Sequence, residues 1–259
     1  MPGTTLHRQR SHRVHKGFTL LDVLVAISVI AILLALLSPT LSMVTENARR
    51  IVCASGLQQT GVALSGWAND HNGMLPPVAY SDDYSVEQTP KRLQLAFLDN
   101  EYGEWDGLGL LVSEGYLSTP SMFYCPSHNG ENGFGNYERD WTFPDGEIVT
   151  NYHYRWLERG NRFLDNLNSD VTLVSDGIRT KLDYNHRVGN NMLKADFHVD
   201  WLDDPEMVIV GLLPKSTDGP DAQSLDVASV EYALDRGDVG QATSNNGREK
   251  DNRLNAGEK

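Results

Sequence analysis

Twenty consecutive residues, Phe18 to Leu37, form an apolar run broken by a single charged side chain, Asp22. As α-helix such a run spans ~30 Å, about one hydrocarbon core, so it is expected to cross a membrane. The residues before it include Arg8, Arg10, Arg13 and Lys16 and no Asp or Glu, and the positive-inside rule keeps that end in the cytoplasm. The run passes into Ser38-Pro39-Thr40-Leu41-Ser42-Met43, which lacks the small-residue pattern a secretory signal needs for its removal. The segment should therefore stay with the chain as a single-pass helix over 18–38, with the bulk of the protein on the far side.

Asp22 is costly there. A carboxylate at the membrane centre costs roughly 2.5–3.5 kcal/mol on insertion scales, less near the interface, and such residues usually have a partner. Asp22 lies four residues after Phe18, one helical turn away on the same face. A cut after Gly17 would give Phe18 a cationic amine at the depth of the acid, and the amine of a neighbouring chain could neutralise it.

The stretch Gly17-Phe18-Thr19-Leu20-Leu21-Asp22 resembles the processing site of type IV prepilins and type II secretion pseudopilins. The resemblance implies a leader of residues 1–17, cleaved after Gly17 by a prepilin peptidase that methylates the Phe18 amine. It also implies assembly with other pilin-like subunits, with Asp22 as the charge that pairs with the next subunit's amine, and anchoring in the inner membrane with a periplasmic or extracellular head. Pro39, twenty-one residues past Phe18, falls where pilins carry a helix-loosening proline. The family's acid is normally Glu; here it is one methylene shorter. The plainer alternative is a single-pass anchor whose acid sits among lipid headgroups.

The chain has formal net charge −13, with 22 basic and 35 acidic residues. Without the leader's four, 18 basic residues remain and the balance is −17. Such a body repels nucleic-acid phosphates, so no nucleic-acid partner is expected. Two cysteines, Cys53 and Cys125, fall in what should be an oxidising compartment. A disulfide between them would close a loop of roughly 70 residues and contribute about 4 kcal/mol on the chain-entropy model, while two separate buried thiols are equally compatible with the sequence.

Beyond Pro39 the residues Val44, Ala48, Ile51, Ala54, Leu57, Gly61, Leu64 and Ala68 recur at steps of three or four, with Glu46, Arg49, Arg50, Gln58 and Asn69 on other faces. This predicts an amphipathic extension of the helix over 39–70, stopped by Asn72-Gly73 and Pro76-Pro77 and packed on a head of residues 71–213. Within 105–117 the spacing predicts a short helix ending at Gly115, and 121–124 a brief strand. Residues 171–174, 191–195, 198–202 and 207–210 are strand candidates. One long helix followed by short strands predicts an α+β fold, a helix packed on a small antiparallel sheet. The acidic, Gly- and Asn-rich stretch 214–259 reads as a flexible tail with a weak helix near 227–234.

Residues 53–77 and 105–127 resemble large-bodied bacterial pilin-like proteins, which often carry a His, nine residues, then Asp-Gly-His-Val. Here His186 is followed by nine residues and Asp196-Phe197-His198-Val199. Phe replaces Gly, and because Phe resists positive φ the hairpin is expected to use a different turn or a bulge.

Asp176, His186, Asp196 and His198 are the candidates for a divalent metal. The competing reading has Asp196 capping the turn and both histidines bonded to backbone. Calcium, which major pseudopilins can hold, prefers oxygen over imidazole. No G-x-S-x-G or Walker-type loop points to catalysis, so neither an enzyme nor a cofactor is expected. Tyr152, His153, Tyr154 and Trp156 could form a sugar-binding face, though sheet packing is the commoner fate of such runs. The alternative function is a membrane-tethered enzyme or a metal- or ligand-binding module built on His186, Asp196 and His198.

Overall fold

A single helix, α1 (Leu20–Asp70), takes up 51 residues and continues without a break through Pro39. The computed structural model describes residues 19–77, 96–99, 104–130, 132–143, 148–155, 163–178, 180–186, 188–213, 215 and 227–238. The expected leader and the Gly17–Phe18 junction lie outside the described residues, as does Trp156. The chain forms two compact units that meet in sequence at Thr45 and Glu46.

In the first unit every large apolar side chain from Leu20 to Leu37 is exposed, from 47% for Val23 to 91% for Leu20. Among the described residues this is the one helix long and apolar enough to cross a membrane. Its hydroxyls turn inward: Ser28 and Thr40 donate to the carbonyls of Leu24 and Leu37 at 2.7 Å.

In the second unit α1 buries Cys53, Leu57, Thr60, Ala63, Leu64, Trp67 and Ala68. The outer half of the expected stripe is therefore correct. Its first half is not, because Val44 and Ile51 are 63% and 69% exposed, and Glu46 and Arg50 instead lie on the half-buried side. The helix ends where Asn72-Gly73 predicts. Both take positive φ, 57° and 81°, and the Gly73 N–H reaches back to the Ala68 carbonyl at 2.7 Å.

A hairpin of β1 (Ala96–Asp99) and β2 (Glu104–Gly107) precedes α2 (Gly109–Ser113). The expected helix is thus shorter than the 105–117 spacing suggested, and ends next to Gly115 at φ 83°. Residues 120–123 form a 3-10 turn, not a strand; Pro120 starts it and lacks the N–H a ladder needs. After α3 (Phe134–Tyr137), four antiparallel strands follow: β3 (Tyr152–Tyr154), β4 (Thr172–Asp176), β5 (Gly189–Lys194) and β6 (Val199–Asp203), in spatial order β3-β4-β5-β6. The expected α+β arrangement, a long apolar helix with a small antiparallel sheet, is present.

The sheet is covered on both faces. Tyr152, Tyr154, Val174 and Leu193 pack with Leu57, Leu64 and Trp67 of α1. Met192 and Leu202 face the other way, against Ile209, Leu213, Val230 and Leu234. Those residues come from or adjoin α4 (Val208–Leu212) and α5 (Val227–Arg236). The expected strand at 207–210 is thus a helix. The Asp204 carboxylate accepts the N–H groups of Val208 and Ile209 at 2.7 and 3.0 Å, which starts a helix where the β-branched run suggested extension.

The β5–β6 hairpin turns through Ala195-Asp196-Phe197, with the Lys194 N–H on the His198 carbonyl and the Phe197 N–H on the Lys194 carbonyl, both at 2.9 Å. Phe197 does not avoid the left-handed conformation; it adopts it, at φ 66°. The cost, about 1–2 kcal/mol, is offset by the ring packing on the α1–sheet core and by the Gln58 amide donating to the Phe197 carbonyl at 3.1 Å.

Helix α5 lies inside the stretch expected to be a flexible tail, and it is anchored by charge. Arg155 grips both oxygens of Asp235 at 2.7 and 2.9 Å, and the same carboxylate accepts the Thr172 N–H at 2.8 Å. The Lys194 ammonium donates to the Leu234 and Asp235 carbonyls at 2.7 and 3.3 Å, the favourable end of the helix for a cation. Composition alone hides this anchor, because the basic groups belong to the sheet region.

Asp235→Ala should leave the buried Arg155 guanidinium without its carboxylate and destabilise the detergent-solubilised chain by about 3–5 kcal/mol in chemical denaturation. Gly189→Ala should also destabilise, by roughly 1–3 kcal/mol, since a Cβ there would meet the Trp201 ring and the Leu202 carbonyl; a melting temperature equal to that of the parent would contradict this packing.

Candidate functional site

Among the described residues, two places carry chemistry. The first is the start of α1. Thr19 precedes the helix, and its hydroxyl oxygen accepts the Asp22 N–H at 3.2 Å while the Asp22 carboxylate accepts the Thr19 N–H at 3.0 Å. This is a reciprocal capping box. Asp22 thus has a local partner within its own chain, and its remaining lone pairs face outward from an exposed position. The T-x-x-D spacing before an apolar run was a readable signal for this cap. The Gly17–Phe18 junction lies outside the described residues.

The second place is a buried cluster assembled from four segments. Cys53 comes from α1, Cys125 from the loop after the 3-10 turn, Asp176 from the end of β4, and His186 from the β4–β5 connection. Their ligand-type atoms all lie within 4.8 Å of one another. All four residues are buried: Cys53 is 1% exposed, Cys125 5%, Asp176 and His186 0%. The two sulfurs are 2.6 Å apart and both cysteines are free. His186 Nε2 lies 3.4 Å from the Cys125 sulfur and 3.7 Å from Asp176 Oδ2.

Each group is held by its surroundings. Glu46, two helical turns before Cys53 on the same face of α1, takes His186 Nδ1 at 2.6 Å, and its other oxygen accepts the Ser127 hydroxyl at 2.8 Å. The Ser127 N–H points at the Cys125 sulfur at 3.3 Å. Asp176 Oδ2 accepts the N–H and side-chain amide of Asn191 at 2.7 and 2.9 Å. Gly177 lets the chain turn tightly after it, since a Cβ there would sit 2.8 Å from the Asp183 carbonyl and 2.9 Å from that of Asn151. Trp201 packs edge-on to His186, and the Arg50 guanidinium lies 3.3 Å over the Trp201 ring, closing the outer side.

The electrostatics are those of a crowded, dry site. Burial raises the Asp176 carboxyl, with His186 and Asn191 acting against it. Asp176 Oδ1 has no hydrogen bond of ordinary geometry among the described residues, although the Asn185 amide is close enough to favour the charge. The hydrogen bond from Cys125 lowers Cys53, while burial raises Cys125. At His186 burial opposes the charged form, but Cys53, Asp176 and Glu46 outweigh it and push the imidazole up to about 9.

The four residues first considered as a metal set are thus divided. Asp176 and His186 meet, but Asp196 and His198 sit apart from them in the exposed β5–β6 turn. There Asp196 accepts the backbone N–H of His198 at 3.1 Å and pairs with its ring, the turn-capping role expected for it. The histidines differ from the competing reading, since His186 bonds to Glu46 and His198 to Asp196, side chains rather than backbone. The two cysteines are brought together, with their sulfurs 2.6 Å apart. Tyr152, His153 and Tyr154 are buried in β3, which is packing rather than an open sugar-binding face. Sequence reasoning missed Glu46, which it placed on an outer face; the seven-residue interval from Glu46 to Cys53 was the available signal.

Comparison with known proteins bears on the first of these places. Residues 12–38 match the family model for the prokaryotic N-terminal methylation motif. No curated protein and no solved structure matches the chain at a significant level. The chain therefore carries a prepilin methylation motif at the head of a long apolar helix, consistent with a type IV pilin-like protein.

Proposed function

We propose that this chain is a structural, pilin-like subunit, cleaved after Gly17 by a prepilin peptidase and assembled through α1 in a type II secretion-like or type IV pilus-like system. The observation that carries the reading is the coincidence of the methylation motif at 12–38 with a helix whose large apolar side chains from Leu20 to Leu37 are exposed among the described residues. Lipid covers such a surface before assembly, and the helices of neighbouring subunits cover it afterwards. Asp22 is the one charge in that surface. Cleavage would place a new cationic amine at Phe18, next to the Thr19–Asp22 cap, where the amine of an adjacent subunit neutralises the carboxylate. The leader stays cytoplasmic and the head lies beyond the inner membrane.

A structural role is supported further by the Cys-His-Asp cluster, whose sulfurs and imidazole are buried among the described residues rather than open to solvent. The strongly acidic head, which repels nucleic acid and anionic surfaces, also fits a subunit that works through protein contacts.

In cells with an active prepilin peptidase, mass spectrometry of the purified chain should find an N-terminus at Phe18 bearing one methyl group; an intact leader would overturn the reading. Asp22→Ala should still be cleaved but should lose recovery in sheared or cross-linked assemblies. Undiminished assembly of that variant would remove Asp22 from the mechanism.

A further inference from the structure

The buried cluster is more elaborate than two neighbouring thiols require. We propose that Cys53, Cys125, Asp176 and His186 form a closed, structural site for one zinc-type divalent cation, with Glu46 orienting the imidazole. This inference rests on the second compact unit alone, which begins at Glu46, and does not depend on how the chain is processed or assembled.

Four lines of geometry support it. Two sulfurs, one imidazole nitrogen and one carboxylate oxygen within 4.8 Å of each other make a four-ligand set of the kind Zn²⁺ takes in tetrahedral structural sites. Thiolate and imidazole donors disfavour calcium and magnesium, which take oxygen. His186 Nδ1 is committed to Glu46 at 2.6 Å, so the nitrogen facing Cys125 and Asp176 is Nε2. A carboxylate behind the distal ring nitrogen is the usual support of a metal-bound histidine. Finally, Asp176 is fully buried with Oδ1 lacking an ordinary hydrogen bond, a costly arrangement that a cation relieves.

A disulfide would join the sulfurs but would give no use to the imidazole nitrogen that faces them, His186 Nε2, 3.4 Å from the Cys125 sulfur and 3.7 Å from Asp176 Oδ2. Cation binding uses every group. The two thiols lose their protons to solvent and their sulfurs bind the ion, and no electrons are transferred. Zinc–sulfur bonds of ~2.3 Å at a tetrahedral angle place two sulfurs roughly 3.7 Å apart, so the pair, now at 2.6 Å, opens by about 1 Å on binding. Cys125 belongs to a loop rather than to α1, and the movement falls there. Once bound, the ion ties together α1, that loop, β4 and the β4–β5 connection, segments far apart in sequence.

The test uses the full chain purified in detergent without chelators. Elemental analysis should find about one zinc per chain, and removing it with a chelator should lower the melting temperature. Co²⁺ added to the stripped wild-type protein should give sulfur-to-cobalt charge-transfer bands with tetrahedral d–d absorption. Cys53→Ser and His186→Ala should abolish those bands. These variants could fail to fold, so the wild-type cobalt spectrum carries the test, and Glu46→Gln supplies a milder perturbation. It keeps a hydrogen-bonding side chain behind the ring and should weaken Zn²⁺ affinity about 10–100-fold in a competition titration. A chain two hydrogens lighter than its sequence, with no titratable thiols, would show a disulfide and overturn the proposal. So would a chain with both thiols free that takes up neither Zn²⁺ nor Co²⁺.

Discussion

One helix must satisfy two environments, and the rest of the molecule follows from that constraint. Over residues 20–37 α1 presents apolar side chains on every side, and none of them is covered among the described residues. Over residues 53–68 it is a core element, one face closed by the sheet. Apolar surface left in water is opposed by roughly 25 cal/mol per Å², so the first stretch requires lipid or protein around it and the second requires the head. A chain built this way functions only at a membrane or within an assembly, which is the condition a prepilin motif implies.

Between these two stretches the inward face of α1 is polar. The line that buries Leu64, Leu57 and Cys53 continues toward the N-terminus through Arg50 and Glu46, which meet Trp201 and His186. A carboxylate, an imidazole, two thiols and a second carboxylate thus occupy the region where the core gives way to the uncovered helix. Polar groups in such a place are held only by satisfying one another, and here they join segments that no single strand or helix connects. The same device recurs on the far face of the sheet. Arg155, Asp235 and Lys194 dock α5, although the sequence around that helix is otherwise poor in apolar residues.

For a pilin-like subunit this division is functional. On the proposed reading the bare helix is the assembling surface, while the head holds its shape outside the membrane. Its two cores, one against α1 and one against α4 and α5, are each modest, and cross-links between distant segments add what apolar burial leaves short.

Much of this was legible along the chain. The methylation motif, the long apolar helix, the end of α1 at Asn72-Gly73, the sheet strands around 172, 191 and 200, and the α+β class all depend on local order and periodicity, which a linear reading preserves. The helix at 208–212 was missed because its start depends on Asp204 capping it, and a β-branched run without that cap looks extended. Phe197 in a left-handed turn was missed because its support comes from Gln58 and the helix core, some 139 positions away. The cluster of Cys53, Cys125, Asp176 and His186, with Glu46 behind it, belongs to the same class. Cys53, Cys125 and the Asp176–His186 pair are separated by tens of residues, and only the packing of β4 and its neighbours on α1 decides that they meet. What the amino-acid order determined by itself was the methylation motif and the long apolar helix that follows it. Which polar residues share a buried site was decided by tertiary structure, because proximity across a fold is set by packing and leaves no period in the sequence.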